Sequence, residues 1–163
     1  EGLEVVIVNP GVIFGYGFHK KGSDVIIQSV KKGLLFYTKG NIGIVSVDDV
    51  TNCMIKLIKS SVNGERFTLV GENIEAKKLL EFIAEELHVK KPYIKATKTM
   101  TGLAWRLDWL LSKILNRKRK LTRSTANSSH SETTFDASKI ESEFVITFHK
   151  KETYLKTILQ AHK

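Results

Sequence analysis

The sequence predicts an α/β fold, and three observations carry that expectation. Residues 3–8 (LEVVIV) form a continuous, β-branched apolar run bounded by Asn-Pro-Gly, the pattern of a parallel strand buried on both faces. Val50, Cys53, Met54, Leu57 and Ile58 recur at helical spacing on one face. Strand-like and helix-like segments then alternate along the chain, as layered α/β domains require.

After residues 3–8, Pro10 stops the strand and GVIFGYG supplies glycines for a sharp turn and a close approach. A helix is expected over residues 23–32, with Ser23 as N-cap and Gly33 just past its end. Residues 34–38 (LLFYT) and 43–47 (GIVSV) read as short strands. Asp48 and Asp49 are expected to open and cap the helix that holds Cys53, because carboxylates there meet free N–H groups and the positive dipole end. Cys53 is then a core residue rather than a nucleophile. Residues 66–70 read as a strand, and Asn73 is expected to cap a helix reaching Leu87, with Leu79, Leu80 and Ile83 in its buried stripe. Residues 99–115 form a longer helix with Leu103, Leu107, Leu110, Leu111 and Ile114 on one side. Trp105 and Trp109, four apart, share a face suited to packing or to a partner. Residues 123–134 read as a Ser/Thr/Asn-rich loop. Asp136 can cap a short helix, and a last helix is expected over residues 151–160.

A chain of 163 residues suffices for one domain with a real core. No apolar run approaches the roughly 18 residues that cross a bilayer, so no membrane partner is expected. The first residues carry no signal-peptide pattern, and a cytoplasmic protein is the default expectation. Cys53 is the single cysteine, which excludes an internal disulfide and any multi-cysteine metal site. The net charge of +9 is scattered in lysine pairs except at residues 116–123 (NRKRKLTR), and a solvated basic surface is preferred there to a polyanion site. The chain begins without methionine and runs directly into a strand, as a piece of a longer protein would.

No self-contained catalytic set is present. Neither a glycine-rich phosphate loop nor HExxH nor GxSxG occurs, and the five histidines have no metal-like spacing. GVIFGYG has the glycines but no helix start after them. The acid pairs Asp48/Asp49 and Glu85/Glu86 are adjacent in helices and point apart, so neither is a catalytic dyad.

Several segments resemble, in order, one large family. VNPGVIFGYG (8–17) resembles the stretch after the sixth strand of extended short-chain dehydrogenase/reductases, where a proline ends the strand. GIVSVDDV (43–50) is similar to the group's Phe-Val-His-Val-Asp-Asp-Val signature, and NGERFTLVGENI (63–74) to its Gly-Glu-x-Tyr unit. FDASKIESEF (135–144) resembles the Asp-x-Ser-Lys-Ala-x-x-Glu-Leu-Gly-Phe element that precedes a last helix. Together they cover the whole chain but only the second half of a family member. The nearest flavour is the dihydroflavonol-reductase-like and sugar-epimerase-like group of NAD(P)-dependent epimerase/dehydratases.

The resemblance implies a C-terminal, substrate-binding part spanning residues 1–163. Residues 3–8 and 66–70 would be strands of a Rossmann sheet, joined to a mostly helical subdomain. The glycine turn that binds the dinucleotide, and the Tyr-x-x-x-Lys whose lysine lowers the tyrosine pKa, would precede Glu1. NAD or NADP is implied for the full-length parent, held through the missing N-terminal half, with no tight binding by this piece. Pro10, Gly11 and Val12 would contact the nicotinamide amide; Tyr16, Phe18 and His19 are candidate wall residues for a small-molecule substrate. Asp49 matches the family aspartate. No residue here is assigned a catalytic role, and no metal is expected.

Departures bear on the substrate. Ser46 replaces the signature histidine, Gly15-Tyr16 replaces a Gly-Pro pair, and Ile42 stands where nucleotide-sugar epimerases carry a diphosphate-binding arginine. The last departure favours a smaller or less charged carbonyl compound. Glu143-Phe144-Val145 replaces the Glu-Leu-Gly turn, which reads as surface drift. The expected function is therefore that of a substrate-binding fragment of an NAD(P)-dependent epimerase, dehydratase or reductase, inactive alone. Its uncovered strands should make the isolated chain oligomeric or marginally stable. The alternative is a small polyanion- or nucleic-acid-binding module using 116–123, which lacks the interleaved aromatics such sites use.

Overall fold

The computed structural model describes residues 2–17, 22–116 and 121–162. Its architecture is α/β, built from short strands in three small sheets and from seven helices among the described residues. Strand β1 (Ile7–Pro10) pairs in parallel with β5 (Arg66–Leu69), in the register Ile7 to Arg66 and Pro10 to Leu69. A second sheet has the order β2 (Val12–Phe14), β4 (Asn41–Ser46), β6 (Glu72–Glu75); β2 and β4 are parallel, β4 and β6 antiparallel. A two-residue ladder joins β3 (Phe36–Tyr37) to β7 (Ile94–Lys95).

The first strand lies later than residues 3–8 because its partner begins at Arg66. Opposite residues 3–6 the chain is turning: Gly64 N–H donates to Val5 O, and Val5 N–H to Asn63 Oδ1. Ile7 and Gly11 both donate their N–H groups toward the β5 side, at Glu65 O (2.9 Å) just before β5 and at Leu69 O (3.0 Å). Alternation therefore turns the nitrogen of Pro10 toward the other edge, where a missing N–H breaks no ladder bond. Among the described residues that edge pairs with no strand.

Strand β4 divides the interior. Ile44 packs into a core with Phe14, Ile27, Leu79, Ile83 and Leu155, while Val45 packs into another with Cys53, Leu57, Phe67, Leu69 and Ile140. Both β4 side chains are fully buried, on opposite faces as the pleat requires. The first core is closed by α1 (Asp24–Lys31), α3 (Ala76–Glu86) and α7 (Lys151–Gln160); the second by α2 (Val47–Ile58) and α6 (Ser138–Phe144). Cys53 is buried in it as expected, and desolvation, with the nearby Asp49 charge, raises its thiol pKa.

Three local expectations are corrected. The N-cap of α2 is Ser46, whose Oγ accepts from Asp49 N–H at 3.0 Å, not Asp48 or Asp49. The buried Asp49 carboxylate instead accepts His149 N–H (3.0 Å) and meets His149 Nδ1 (2.6 Å), fastening the start of α7 to the start of α2. Asn73 belongs to β6, and α3 begins three residues later behind Glu75. The Ser/Thr-rich stretch contains a helix, α5 (Arg123–Ser128), capped by Thr122 Oγ1 on Thr125 N–H. The long helix, α4, runs Lys98–Ile114.

Three substitutions test this packing. A Cβ on Gly11 would collide with the Gly43 carbonyl, its carbon only 2.7 Å away, whereas nothing lies within 4 Å at Gly2. We expect Gly11→Ala to cost about 2–4 kcal/mol in urea unfolding and Gly2→Ala to stay within about 0.5 kcal/mol of wild type. Val145, read as drift from a family glycine, ends α6 at φ 48° and is 86% exposed. A β-branched residue in that left-handed conformation is strained, so Val145→Gly should raise stability by about 1 kcal/mol on the same measurement.

Candidate functional site

The parallel pair β1–β5 ends at Pro10 and Leu69, and open α/β sheets bind ligands beyond such carboxyl ends. At that end lies a cavity of about 760 Å³. Its floor is the crossing from β1 to β2, where Asn9, Pro10, Gly11 and Val12 lie beside Thr68 and Val70. Asn41, Ile42 and Gly43 of β4 form one side, and Thr125 and Ser128 of α5, Ser129 at its end and Phe135 form the other.

The sheets can meet there because glycines stand at the crossing. Gly11 abuts the backbone of Gly43, and a Cβ on Gly43 would come within 2.9 Å of the Phe135 ring and 3.0 Å of Val70. The opposite wall is laced to β4 through the backbone: Gly40 N–H donates to Ser129 O (3.2 Å) and Asn41 N–H to Ser131 O (2.8 Å). Asn41 Nδ2 adds a bond to Glu132 O at 3.2 Å. Asn73 grips Phe135 at both ends of its carboxamide, Nδ2 donating to Phe135 O (2.9 Å) and Oδ1 accepting Phe135 N–H (2.8 Å). Farther out, His130 Nε2 lies 2.9 Å from Thr101 Oγ1, which ties this wall to α4.

The chemistry of the lining is uniform. Although the chain carries +9, none of the thirteen described residues that line the cavity is ionisable. The lining offers three hydroxyls from α5, the Thr68 hydroxyl, two carboxamides, backbone groups and apolar surface. It can hold a neutral, partly apolar molecule by shape and hydrogen bonds. Among the described lining residues there is no acid or base to carry a proton or to activate a hydroxyl. Among the described residues, no group of three or more His, Cys, Asp or Glu is placed to hold a metal.

Pro10, Gly11 and Val12, expected from the sequence, all line this cavity. Tyr16 does not; it is 55% exposed beyond the end of β2. Phe18 and His19 lie outside the described residues, as do residues 117–120 of the basic cluster. A Tyr-x-x-x-Lys spacing does occur at Tyr16 and Lys20, but Tyr16 is in no helix, Gly17 follows at φ +89°, and Lys20 lies outside the described residues. Asp49 is not in the cavity; its carboxylate is taken by His149. The residues that sequence reasoning missed are Asn41, Asn73 and the α5 hydroxyls. Thr122 three residues before Thr125 was a usable helix-start signal, whereas nothing local marks Asn73 as the grip on Phe135. Removing that grip should loosen the wall without unfolding the chain: Asn73→Ala is expected to cost about 1–2 kcal/mol. Hydrogen exchange should quicken in residues 129–136 and remain unchanged in α3.

No protein-family model and no curated protein sequence matches the chain. Solved structures do. A nucleoside-diphosphate-sugar epimerase from Pseudomonas aeruginosa superposes with a TM-score of 0.74 at 21% identity, over 98% of this chain and 46% of its own. A dTDP-glucose 4,6-dehydratase from Streptomyces venezuelae, solved with NAD bound, gives 0.66 at 15% identity over 97% and 43%. A UDP-glucose 4-epimerase from Thermotoga maritima, solved with UDP-glucose, gives 0.64 at 12% identity over 97% and 45%. The chain thus spans about half the length of these structures, and its fold is that of the C-terminal portion of the NAD-dependent epimerase/dehydratases, the extended short-chain dehydrogenase/reductase fold.

Proposed function

We propose that this chain is the substrate-side part of an NAD(P)-dependent epimerase, dehydratase or reductase that acts on an uncharged carbonyl or hydroxyl compound, and that it is inactive alone. The observation that carries the reading is the cavity at the carboxyl end of β1 and β5, floored by Pro10, Gly11 and Val12. In this fold that crevice is where a dinucleotide and its substrate meet.

The residues present fit the nicotinamide end of such a cofactor and not its phosphates. The Pro10–Val12 backbone runs along the cavity floor and can face a carboxamide, but among the described residues no cation and no glycine-rich helix start lines the site. When bound, a nicotinamide dinucleotide would exchange a hydride with the substrate carbon. This chain's residues would orient and enclose. Ile42 and Phe135 exclude water, and the Ser128 and Ser129 hydroxyls, which donate to Thr125 O and Ala126 O, keep lone pairs to accept from substrate hydroxyls. No described residue lining the cavity is ionisable, so the acid–base pair is expected to come from a longer protein.

The state of β1 supports the same reading. Val6 and Val8 pack inward, while Leu3, Val5 and Ile7 on the other face are 84%, 41% and 44% exposed. A parallel strand is normally covered on both faces, so this one has a face and an edge left for a sheet to complete. That sheet would bring the dinucleotide site.

The described lining residues carry no charge, which favours a neutral substrate over a nucleotide diphosphate, because a buried diphosphate without a cation is costly. The test is a titration of the chain with NADH and NADPH followed by nucleotide fluorescence. Weak binding, with Kd of about 1 mM or above, is expected. Micromolar binding by this chain alone, or turnover of alcohols with NAD, would refute the division of labour.

A further inference from the structure

Of the seven asparagines in the chain, Asn63 is the one followed by glycine; the others precede Pro10, Ile42, Cys53, Ile74, Arg117 and Ser128. That difference governs a spontaneous reaction of the backbone. The carboxamide of an asparagine can be attacked by the backbone nitrogen of the next residue. A side chain on that residue hinders the approach, and glycine carries none. Asn63 and Gly64 are also exposed, and they lie outside any helix or strand, in the loop that joins α2 to β5. Gly64 has φ +74°, and no described atom lies within 4 Å of where a Cβ would stand.

Val5 holds both reacting groups. Its N–H donates to Asn63 Oδ1 at 2.8 Å, and its carbonyl accepts Gly64 N–H at 2.8 Å. The first bond pins the carboxamide. The second occupies the proton that Gly64 N must lose to become a nucleophile. With Val5 in place, neither group is free to meet the other. The latch is as strong as the segment that carries it. Residues 3–6 lie before β1, Leu3 and Val5 are exposed, and Val6 is the residue of this segment that packs against the second core. A segment with so little buried surface opens locally far more often than the whole chain unfolds.

We propose that Asn63 is a site of spontaneous deamidation latched by Val5. When residues 3–6 lift away, Gly64 N gives its proton to hydroxide and bonds to Asn63 Cγ. The Cγ–Nδ2 bond breaks, and the side-chain nitrogen takes a proton from water and leaves as ammonia. Water then opens the cyclic imide at either carbonyl, to aspartate or to isoaspartate. In sum water enters and ammonia leaves, and nothing is oxidised or reduced. Isoaspartate routes the backbone through the side chain and lengthens it by one methylene just before β5. Gly64 N–H then no longer meets Val5 O, and the next rung, Ile7 N–H to Glu65 O, is displaced with it. The modification loosens the root of β1. A sheet that covered residues 3–7 would tighten the latch, a consequence that rests on the proposed function, whereas the reaction itself does not.

The test is incubation of the chain at mildly alkaline pH, then proteolysis and mass spectrometry with the asparaginyl, aspartyl and isoaspartyl peptides separated. Asn63 is expected to convert about tenfold faster than any other asparagine, yet more slowly than in a synthetic peptide of residues 58–70, where no latch exists. Val6→Gly removes the inward anchor of the segment and should raise the rate at Asn63 by about threefold or more, with the other asparagines unchanged. Should that variant fold poorly, the wild-type chain is held instead in urea below its unfolding transition. Conversion should then rise in step with hydrogen exchange at Gly64 N–H. Conversion at Asn63 no faster than elsewhere, a rate equal to that of the free peptide, or a rate unmoved by Val6→Gly or by urea would overturn the proposal.

Discussion

The structure depends on one close approach, the contact of Gly11 with the backbone of Gly43. There the chain leaves the parallel pair and enters the second sheet, so two sheets that share no ladder are brought within van der Waals reach. Bonds on either side secure the crossing. Gly11 N–H donates to Leu69 O of one sheet, and Gly71 N–H to Ile44 O of the other. With the crossing closed, β4 can bury Ile44 in one core and Val45 in the other. The cavity exists because the same crossing forms its floor. Stability and site geometry are therefore one constraint, and a side chain at either glycine would act on both.

Long-range ties then fix what surrounds the crossing. The bond pair between Asn73 and Phe135, the backbone laces from Gly40 and Asn41, and the clasp of Asp49 on His149 each join residues far apart in sequence. The first two hold the α5 wall over β4. The last sets α7 against α2, and α7 packs Leu155 and Leu159 into the first core. The neighbouring Tyr154 phenol is pushed far above its usual pKa, by burial first and by the Glu72, Asp49 and Glu152 charges next, so it is a packing residue and not a proton carrier near neutral pH. The cavity wall is rigid on the side this chain supplies, and open where β1 shows its bare edge.

Periodicity made the helices legible. The stripes over α2, α3 and α4 are local patterns, and they fall where the sequence placed them; α1 also starts just after Ser23, but the Ser23 side chain makes no capping bond. Strand limits were less legible because they depend on the partner: β1 begins at Ile7 since β5 begins at Arg66, and nothing within residues 3–8 says so. The cap of α2 was misread because three capping residues, Ser46, Asp48 and Asp49, stand close together, and only the distant His149 shows why Asp49 is not the cap. Pro10, Gly11 and Val12 were readable as a site through the resemblance of their motif. Asn41, Asn73 and the α5 hydroxyls were not, because their place in the wall arises from contacts between segments about 60 to 90 residues apart. The outward-facing stripe of α4 is the plainest case: its period was visible, but which way it faced was not.

The central claim is that this chain completes a longer NAD(P)-dependent enzyme. Sequencing the coding region immediately upstream of the Glu1 codon tests it most directly. The account predicts a Tyr-x-x-x-Lys on a helix shortly before Glu1, and a glycine-rich strand-to-helix turn near the distant start of the same reading frame. An initiator codon adjacent to Glu1 behind an in-frame stop would contradict it, and the dehydrogenase reading would then fall even though the fold stands.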